Sequence, residues 1–219
     1  MARASAYFVF DAFGTLFDVH SAVREHGAAL GAVSGRLSEI WRAKQLEYTW
    51  INAGLNRHVS FRELTRQALL YALTVCELDE TIAPRLLAAY ESLQPYLEVP
   101  DVLRQLKIQG ARLAILSNGD PDMLEEIARN AGLNGMFDAL ISVEAAGTFK
   151  PDPRVYALAT QAFGVSAGDI TFLSSNRWDI AGAKAFGFKC IWVNRSGAPD
   201  EYPELSADEV ISNLSALVV

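Results

Sequence analysis

YFVFDAFGTLFD (Tyr7 to Asp18) decides the fold of this chain. An unbroken apolar run with no alternation reads as a strand covered on both faces, and a carboxylate, Asp11, stands where that run stops. A loop containing Gly14 and Thr15 follows, with Phe13 two residues beyond the carboxylate. Outward from it the same kind of run recurs as LAILS (113–117), ALISV (139–143), ITFLS (170–174) and CIWV (190–193). Helical patterns with readable starts lie between them. Asp120 is placed to cap a helix that opens with Pro121 and carries Glu125 and Glu126 early. Asp152 and Pro153 repeat the device, and Gly164 ends that helix. Strands alternating with helices predict a parallel, doubly wound α/β sheet of the Rossmann-like kind.

Residues 19–97 break the alternation. LSEIWRAKQLEYTWINAG, SFRELTRQALLYALTV and DETIAPRLLAAYESL all carry helical periodicity with no strand between them. The predicted organisation is a core domain of residues 1–18 and 98–219, interrupted by a helical cap domain at 19–97.

With 219 residues, 51% of them hydrophobic and 21% charged, the chain can bury a sizeable core. Its net charge of −7, without a run of Lys or Arg, argues against a nucleic-acid partner, and an anionic substrate would need a locally positive site. The opening MARASAYFVF is expected to be neither a signal peptide nor a membrane span. Cys76 and Cys190 lie far apart and are expected as buried thiols, in keeping with a reducing cytoplasm.

In open α/β sheets, sites form at the carboxyl ends of the strands. There stand Asp11, then Ser117 and Asn118, then Lys150, then Ser174, Ser175, Asn176 and Asp179. Any one of them could be a cap or turn residue. Two carboxylates, an ammonium and several hydroxyls and amides at successive strand ends are a set.

FDAFGTLFD, LSNGD, KPDPRVY and SSNRWDIAGA, with EIWRAKQLEYTW in the insertion, resemble the haloacid dehalogenase superfamily, and within it the L-2-haloacid dehalogenases. The resemblance covers nearly the whole chain. It implies nucleophilic attack by Asp11. Most superfamily members are magnesium-dependent phosphohydrolases with a second aspartate two residues after the nucleophile, which protonates the leaving alkoxide. Phe13 occupies that position here, and Ser175 falls where a metal-binding aspartate would stand. Mg²⁺ prefers carboxylate oxygens. A halide leaves unprotonated, and displacement at carbon has no phosphoryl charge to spread. The departures therefore point to metal-independent, cofactor-free hydrolysis of short (S)-2-haloalkanoic acids and haloacetates to (R)-2-hydroxyacids, with a phosphatase of the same superfamily as the alternative.

The resemblance also implies roles. Lys150 would compensate the charge of Asp11, where the plain alternative is a solvated loop lysine. Ser117 and Asn118, with the amides of the following helix, would bind the substrate carboxylate. Thr15 would contact Asp11, and Asp179, Asn176 and Ser174 would position the hydrolytic water. Arg42 would reach over the nucleophile to receive the halide, against the alternative of an exposed helix arginine. Ala43 beside it is a candidate for enlarging that region. Phe13, Leu46, Phe61 and Trp178 would wall an apolar pocket or simply pack in the core. Tyr156 would hydrogen-bond Lys150 or the substrate, or pack with its hydroxyl free. His20, His26 and His58 stand at no main-sheet strand end, which leaves a Ser–His–Asp or zinc mechanism without a constellation, although His58 could border the pocket. Relatives of this kind are usually homodimers, and the apolar insertion helices could supply the interface. A third reading is a non-catalytic scaffold on a dead hydrolase fold, which the intact Asp11, Lys150 and Asp179 oppose.

Overall fold

The computed structural model describes residues 6–218. Six strands form one parallel sheet, β1 (Tyr7–Phe10), β2 (Arg112–Ser117), β3 (Ala139–Ser142), β4 (Ile170–Ser174), β5 (Lys189–Val193) and β6 (Glu209–Ile211), in the order β3-β2-β1-β4-β5-β6. The five strands read from sequence are all present, and the sixth, Glu209–Ile211, is an addition at the sheet edge. Its three residues include two exposed ones, too short and too wet for an apolar run to be visible. β1 lies in the middle, paired with β2 on one side and β4 on the other, with Phe10 opposite both Ile115 and Leu173. The chain order reverses at β1, so the crevice at its carboxyl end is the topological switch point.

The central strands are buried on both faces, as their unbroken apolar runs demand. Helices α6 (Val99–Ile108), α7 (Pro121–Asn130), α8 (Pro153–Phe163) and α9 (Arg177–Phe186) flank the sheet. Asp152 caps α8 through the Arg154 amide, and Gly164 closes it in the left-handed region at φ +67°.

Between β1 and β2 the chain is helical: α1 (Ser21–Arg24), α2 (Gly27–Leu30), α3 (Ser34–Gly54), α4 (Phe61–Val75) and α5 (Ala83–Tyr90). In α3 the buried side chains Leu37, Trp41, Gln45 and Thr49 recur every fourth residue, which puts them on one face. Two of the four are polar, so this face needs hydrogen-bonding partners as well as apolar ones. Cys76 and Cys190 are both buried and unpaired, as the sequence predicts.

Asp120 departs from its expected role. It has the extended backbone of an N-cap, but its side chain makes no bond to its own helix. Its two carboxylate oxygens instead accept from the amides of Phe61 and Arg62, each at 2.9 Å, at the start of α4. The helical insertion offered a better pair of donors than α7 did.

Candidate active site

The Asp11 amide still belongs to the sheet, donating to Leu173 O at 2.9 Å. Beyond it the chain must turn back at once, and Gly14 does so at φ +90°, a conformation that costs glycine nothing. That turn returns Thr15 beneath the carboxylate. Asp11 Oδ2 accepts from Thr15 Oγ1 and from Asn176 Nδ2, both at 2.9 Å, and Oδ1 accepts from Lys150 Nζ at 3.0 Å. The Thr15 hydroxyl accepts in turn from the Ser175 amide at 2.8 Å. Three donors from three loops thus fix both oxygens of one 5%-exposed carboxylate.

Lys150 is 1% exposed and bridges two carboxylates, reaching Asp179 Oδ2 at 2.8 Å. The solvated-lysine alternative is excluded. Tyr156 donates to Asp179 Oδ1 at 2.8 Å rather than to Lys150, which corrects the partner expected for it. Gly182 permits this, because a Cβ there would stand 2.5 Å from the Tyr156 hydroxyl. Burial pushes the Asp179 carboxyl up to about 6, with Asp11 adding to the rise and Lys150 opposing it. Burial also works to lower Lys150, but Asp11 and Asp179 outweigh it and hold the ammonium above its ordinary range. Tyr156 is raised well above the usual phenol by burial and by Asp179, so it stays a donor. Buried ion clusters seldom repay their desolvation in stability, so this one is better explained by chemistry.

Arg42 descends from α3 onto the same crevice. Its Nη2 donates to Phe13 O at 3.1 Å and to Asn176 Oδ1 at 3.3 Å, and its Nη1 to Gln45 Oε1 at 2.8 Å. Asn176 therefore ties the guanidinium to the carboxylate it faces. A small cavity of about 10 Å³ is lined by Asp11, Phe13, Arg42, Leu46, Phe61, Asn118, Asn176 and Trp178. The Phe13 ring lies 5.2 Å from that of Phe61 and 5.6 Å from that of Tyr90, giving the cavity an aromatic floor. Trp178 is half-buried, with Trp50 edge-on against it at 5.5 Å.

The remaining predicted residues sit differently. Ser117 is fully buried and accepts from the Gly119 amide at 3.1 Å, holding the turn of its own loop. Asn118 lines the cavity, with Oδ1 accepting from the Lys150 amide at 3.1 Å. Ser174, also fully buried, accepts from the Asn176 amide at 3.1 Å and acts on the site through that loop. Ala43 is exposed, so its side chain points away from the cavity and cannot enlarge it. His58 is exposed and 3.8 Å from Glu144, outside the cavity lining.

Three contributors had not been read from sequence. Gln45 is 1% exposed, and its amide donates to Thr65 Oγ1 at 2.7 Å and to the Tyr90 hydroxyl at 3.0 Å, so it carries Arg42 on a buried hydrogen-bonded support with Tyr90. Arg195 donates to Thr15 O at 2.9 Å and pairs with Glu98 at 2.7 Å. The fourfold spacing of Gln45 with Trp41 and Leu37 was the available signal for the first; Tyr90 and Arg195 had none.

Chemically, the arrangement offers a buried, fully hydrogen-bonded carboxylate paired with an ammonium, a second carboxylate beside it, and a guanidinium lining the same apolar cavity. Mg²⁺ does not fit these residues. Lys150 already bridges the two carboxylates, and Ser175 offers a hydroxyl where a third acidic ligand would be wanted.

A family model for haloacid dehalogenase-like hydrolases matches residues 6–187. The chain belongs to that family. Among its relatives, the (S)-2-haloacid dehalogenase of Pseudomonas sp. (strain YL) is 44% identical over 211 residues, 95% of this chain and 91% of the relative. Haloacetate dehalogenase H-2 of Moraxella sp. (strain B) is 41% identical, covering 95% and 94%. The solved L-2-haloacid dehalogenase from Xanthobacter autotrophicus with chloropropionic acid covalently bound superposes at a TM-score of 0.86, with 36% identity over 97% of this chain and 96% of that one.

Proposed function

We propose that this chain is a hydrolase of carbon–halide bonds, converting short (S)-2-haloalkanoic acids and haloacetates to (R)-2-hydroxyacids and halide. The observation that carries the reading is the Lys150 ammonium between Asp11 and Asp179, with Arg42 lining the cavity onto which Asp11 opens and Phe13 rather than a proton donor beside the nucleophile. The phosphatase alternative lacks its acid and has a serine in place of a metal-binding carboxylate, and the scaffold reading leaves a buried charge cluster without purpose.

In the first step an Asp11 oxygen attacks C2 from the side opposite the halogen. The C–O bond forms as the C–X bond breaks, the configuration inverts, and the halide departs toward Arg42 without a proton. The apolar walls strip water from the attacking oxygen. Asn118 and the amides of its loop meet the substrate carboxylate. In the second step water attacks the Asp11 carbonyl carbon, giving up a proton with Asp179 as base. The ester C–O bond on the carbonyl side breaks as the departing alkoxide oxygen takes that proton back from Asp179. The second water proton is lost to solvent as Asp11 returns to a carboxylate, and the inverted C2 is untouched. Esterification removes the negative charge of Asp11, leaving Lys150 and Asp179 as a matched pair beside the ester. Thr15 and Asn176 hold the carbonyl, Ser174 holds the Asn176 loop, Tyr156 holds Asp179, and Ser117 holds the loop that carries Asn118.

On this reading residues 19–97 act as a cap over a core of residues 1–18 and 98–219. The enzyme needs no metal or cofactor and works in the cytoplasm, where two unpaired thiols are at home. It is a homodimer, for which the exposed apolar residues Trp50, Ile51 and Leu55 of the insertion supply surface. Among the described residues no helix is long and apolar enough to cross a membrane.

The test is halide release from haloacetates and both 2-chloropropionate enantiomers, with EDTA and no added metal. Release from haloacetates and, of the two enantiomers, from (S)-2-chloropropionate only, unaffected by EDTA, is the expected result. Phosphate-ester hydrolysis abolished by EDTA would overturn the reading.

A further inference from the structure

The catalytic cavity, at about 10 Å³, has room for about one water, so a haloacid can enter only if the insertion and the core part. What re-forms the site afterwards must then be a contact between them that fixes the position of both Phe61 and Arg42. We infer that Asp120 is that positioning residue. It takes part in no chemical step, but sets where the halide-facing arginine stands.

The connection can be followed atom by atom. The carboxylate of Asp120, in the loop after β2, receives the first two amides of α4 at 2.9 Å each. The third, Glu63 N, goes to Ser60 Oγ at 3.2 Å. A carboxylate on a helix N-terminus is a charge-assisted, two-point contact, so it fixes orientation as well as distance. The first residue so held is Phe61, which walls the cavity and packs on Phe13. One turn on, Thr65 Oγ1 donates to Phe61 O at 2.7 Å and accepts from Gln45 Nε2, also at 2.7 Å. Gln45 Oε1 receives Arg42 Nη1 at 2.8 Å. A second tie runs in parallel from Trp41 Nε1 to Thr65 O at 2.9 Å. Asp120 thus reaches Arg42 through Phe61, Thr65 and Gln45, every link a direct hydrogen bond or the backbone of one helical turn. Because the relay begins in the loop that carries Asn118, the end of the site assigned to the substrate carboxylate is coupled to the halide end. Arg62 adds ion pairs to Glu91 and Asp122, but at 40% exposure these are screened and weak.

The inference rests on the dehalogenase reading, because it is the departing halide that a displaced Arg42 would fail to receive. The test is therefore leaving-group dependence. kcat/KM covers the steps up to ester formation, and a poorer leaving group leans harder on Arg42. Asp120→Ala is expected to lower kcat/KM about tenfold on (S)-2-bromopropionate and roughly threefold further on (S)-2-chloropropionate. Asp120→Asn, which keeps one acceptor, should fall between the two and serves if the alanine variant does not fold. Arg62→Ala keeps the amide and should change either rate by less than about twofold. A merely structural role would lower both substrates equally and in step with the denaturation midpoint. Equal losses on the two halides, or an Arg62→Ala loss as large as that of Asp120→Ala, would overturn the proposal. No halide release by the unaltered chain would instead overturn the dehalogenase reading itself.

Discussion

The two sides of this site are held in different ways. Asp11, Lys150 and Asp179 stand at or just beyond the ends of strands in a buried parallel sheet, and each has its partners within the same crevice. Arg42 belongs to a helix of the insertion and reaches the crevice as a single side chain, steadied by Gln45, Thr65 and Tyr90. A nucleophile must be rigid and desolvated, which a sheet edge supplies. A halide acceptor must withdraw to admit substrate and return to the same place, which asks for a separate body with a reproducible contact. On the proposed reading the chemistry is divided between a fixed half on the sheet and a half carried by the insertion, and the bonds from Asn176 to both Asp11 and Arg42 are where the halves meet.

The largest effect that would separate them is expected from Arg42. Arg42→Ala should cost about 10²- to 10³-fold in kcat/KM, as the loss of a preorganised electrostatic donor does, and more on chloride than on bromide. Arg42→Lys should recover little of it, because the two-nitrogen fork that holds both Gln45 and Phe13 O is lost. An activity within threefold of the unaltered chain would make the insertion a passive lid. The smaller effect belongs to the fixed half and is a pH dependence. Burial and Asp11 raise Asp179 to about 6, so the cluster takes up a proton as pH falls through that value and gives it up as pH rises. A protonated Asp179 cannot take a proton from the hydrolytic water. The rate of ester hydrolysis, and with it kcat, should therefore fall roughly tenfold per unit below that limb and be flat above it, where Lys150 remains charged. Stopped-assay halide release across pH 4.5 to 9 checks this, and a profile flat to pH 5 would detach Asp179 from the cluster.

The same division explains what could be read from sequence. Asp11 at the end of an unbroken apolar run was legible with the sheet itself. Lys150 and Asp179, further along the chain from their strands, gained their roles from the set of polar residues at the strand ends and from the family resemblance. Gln45 and Tyr90 were not legible, because a polar residue in a helix ordinarily faces water, and the spacing of Gln45 with Trp41 and Leu37 marks a shared face without saying that it packs against α4 and α5. Asp120 was misread for a related reason. Its spacing before Pro121 fits a cap, yet tertiary structure offered the amides of a different helix. Tyr156 likewise needed Gly182 and Asp179 in space before its partner was apparent. β6 escaped because an edge strand of three residues carries too little hydrophobic pattern.

The central claim is that Asp11 becomes an ester and that water then attacks its own carbonyl rather than the substrate carbon. Single-turnover reaction of (S)-2-chloropropionate with excess enzyme in ¹⁸O-water, followed by mass spectrometry of the peptide containing Asp11 and of the product, tests it directly. One ¹⁸O in the Asp11 carboxylate and none in the 2-hydroxypropionate is the predicted result. Label in the hydroxyacid with Asp11 unlabelled would mean that water attacks C2 directly, and the account of this site would be wrong.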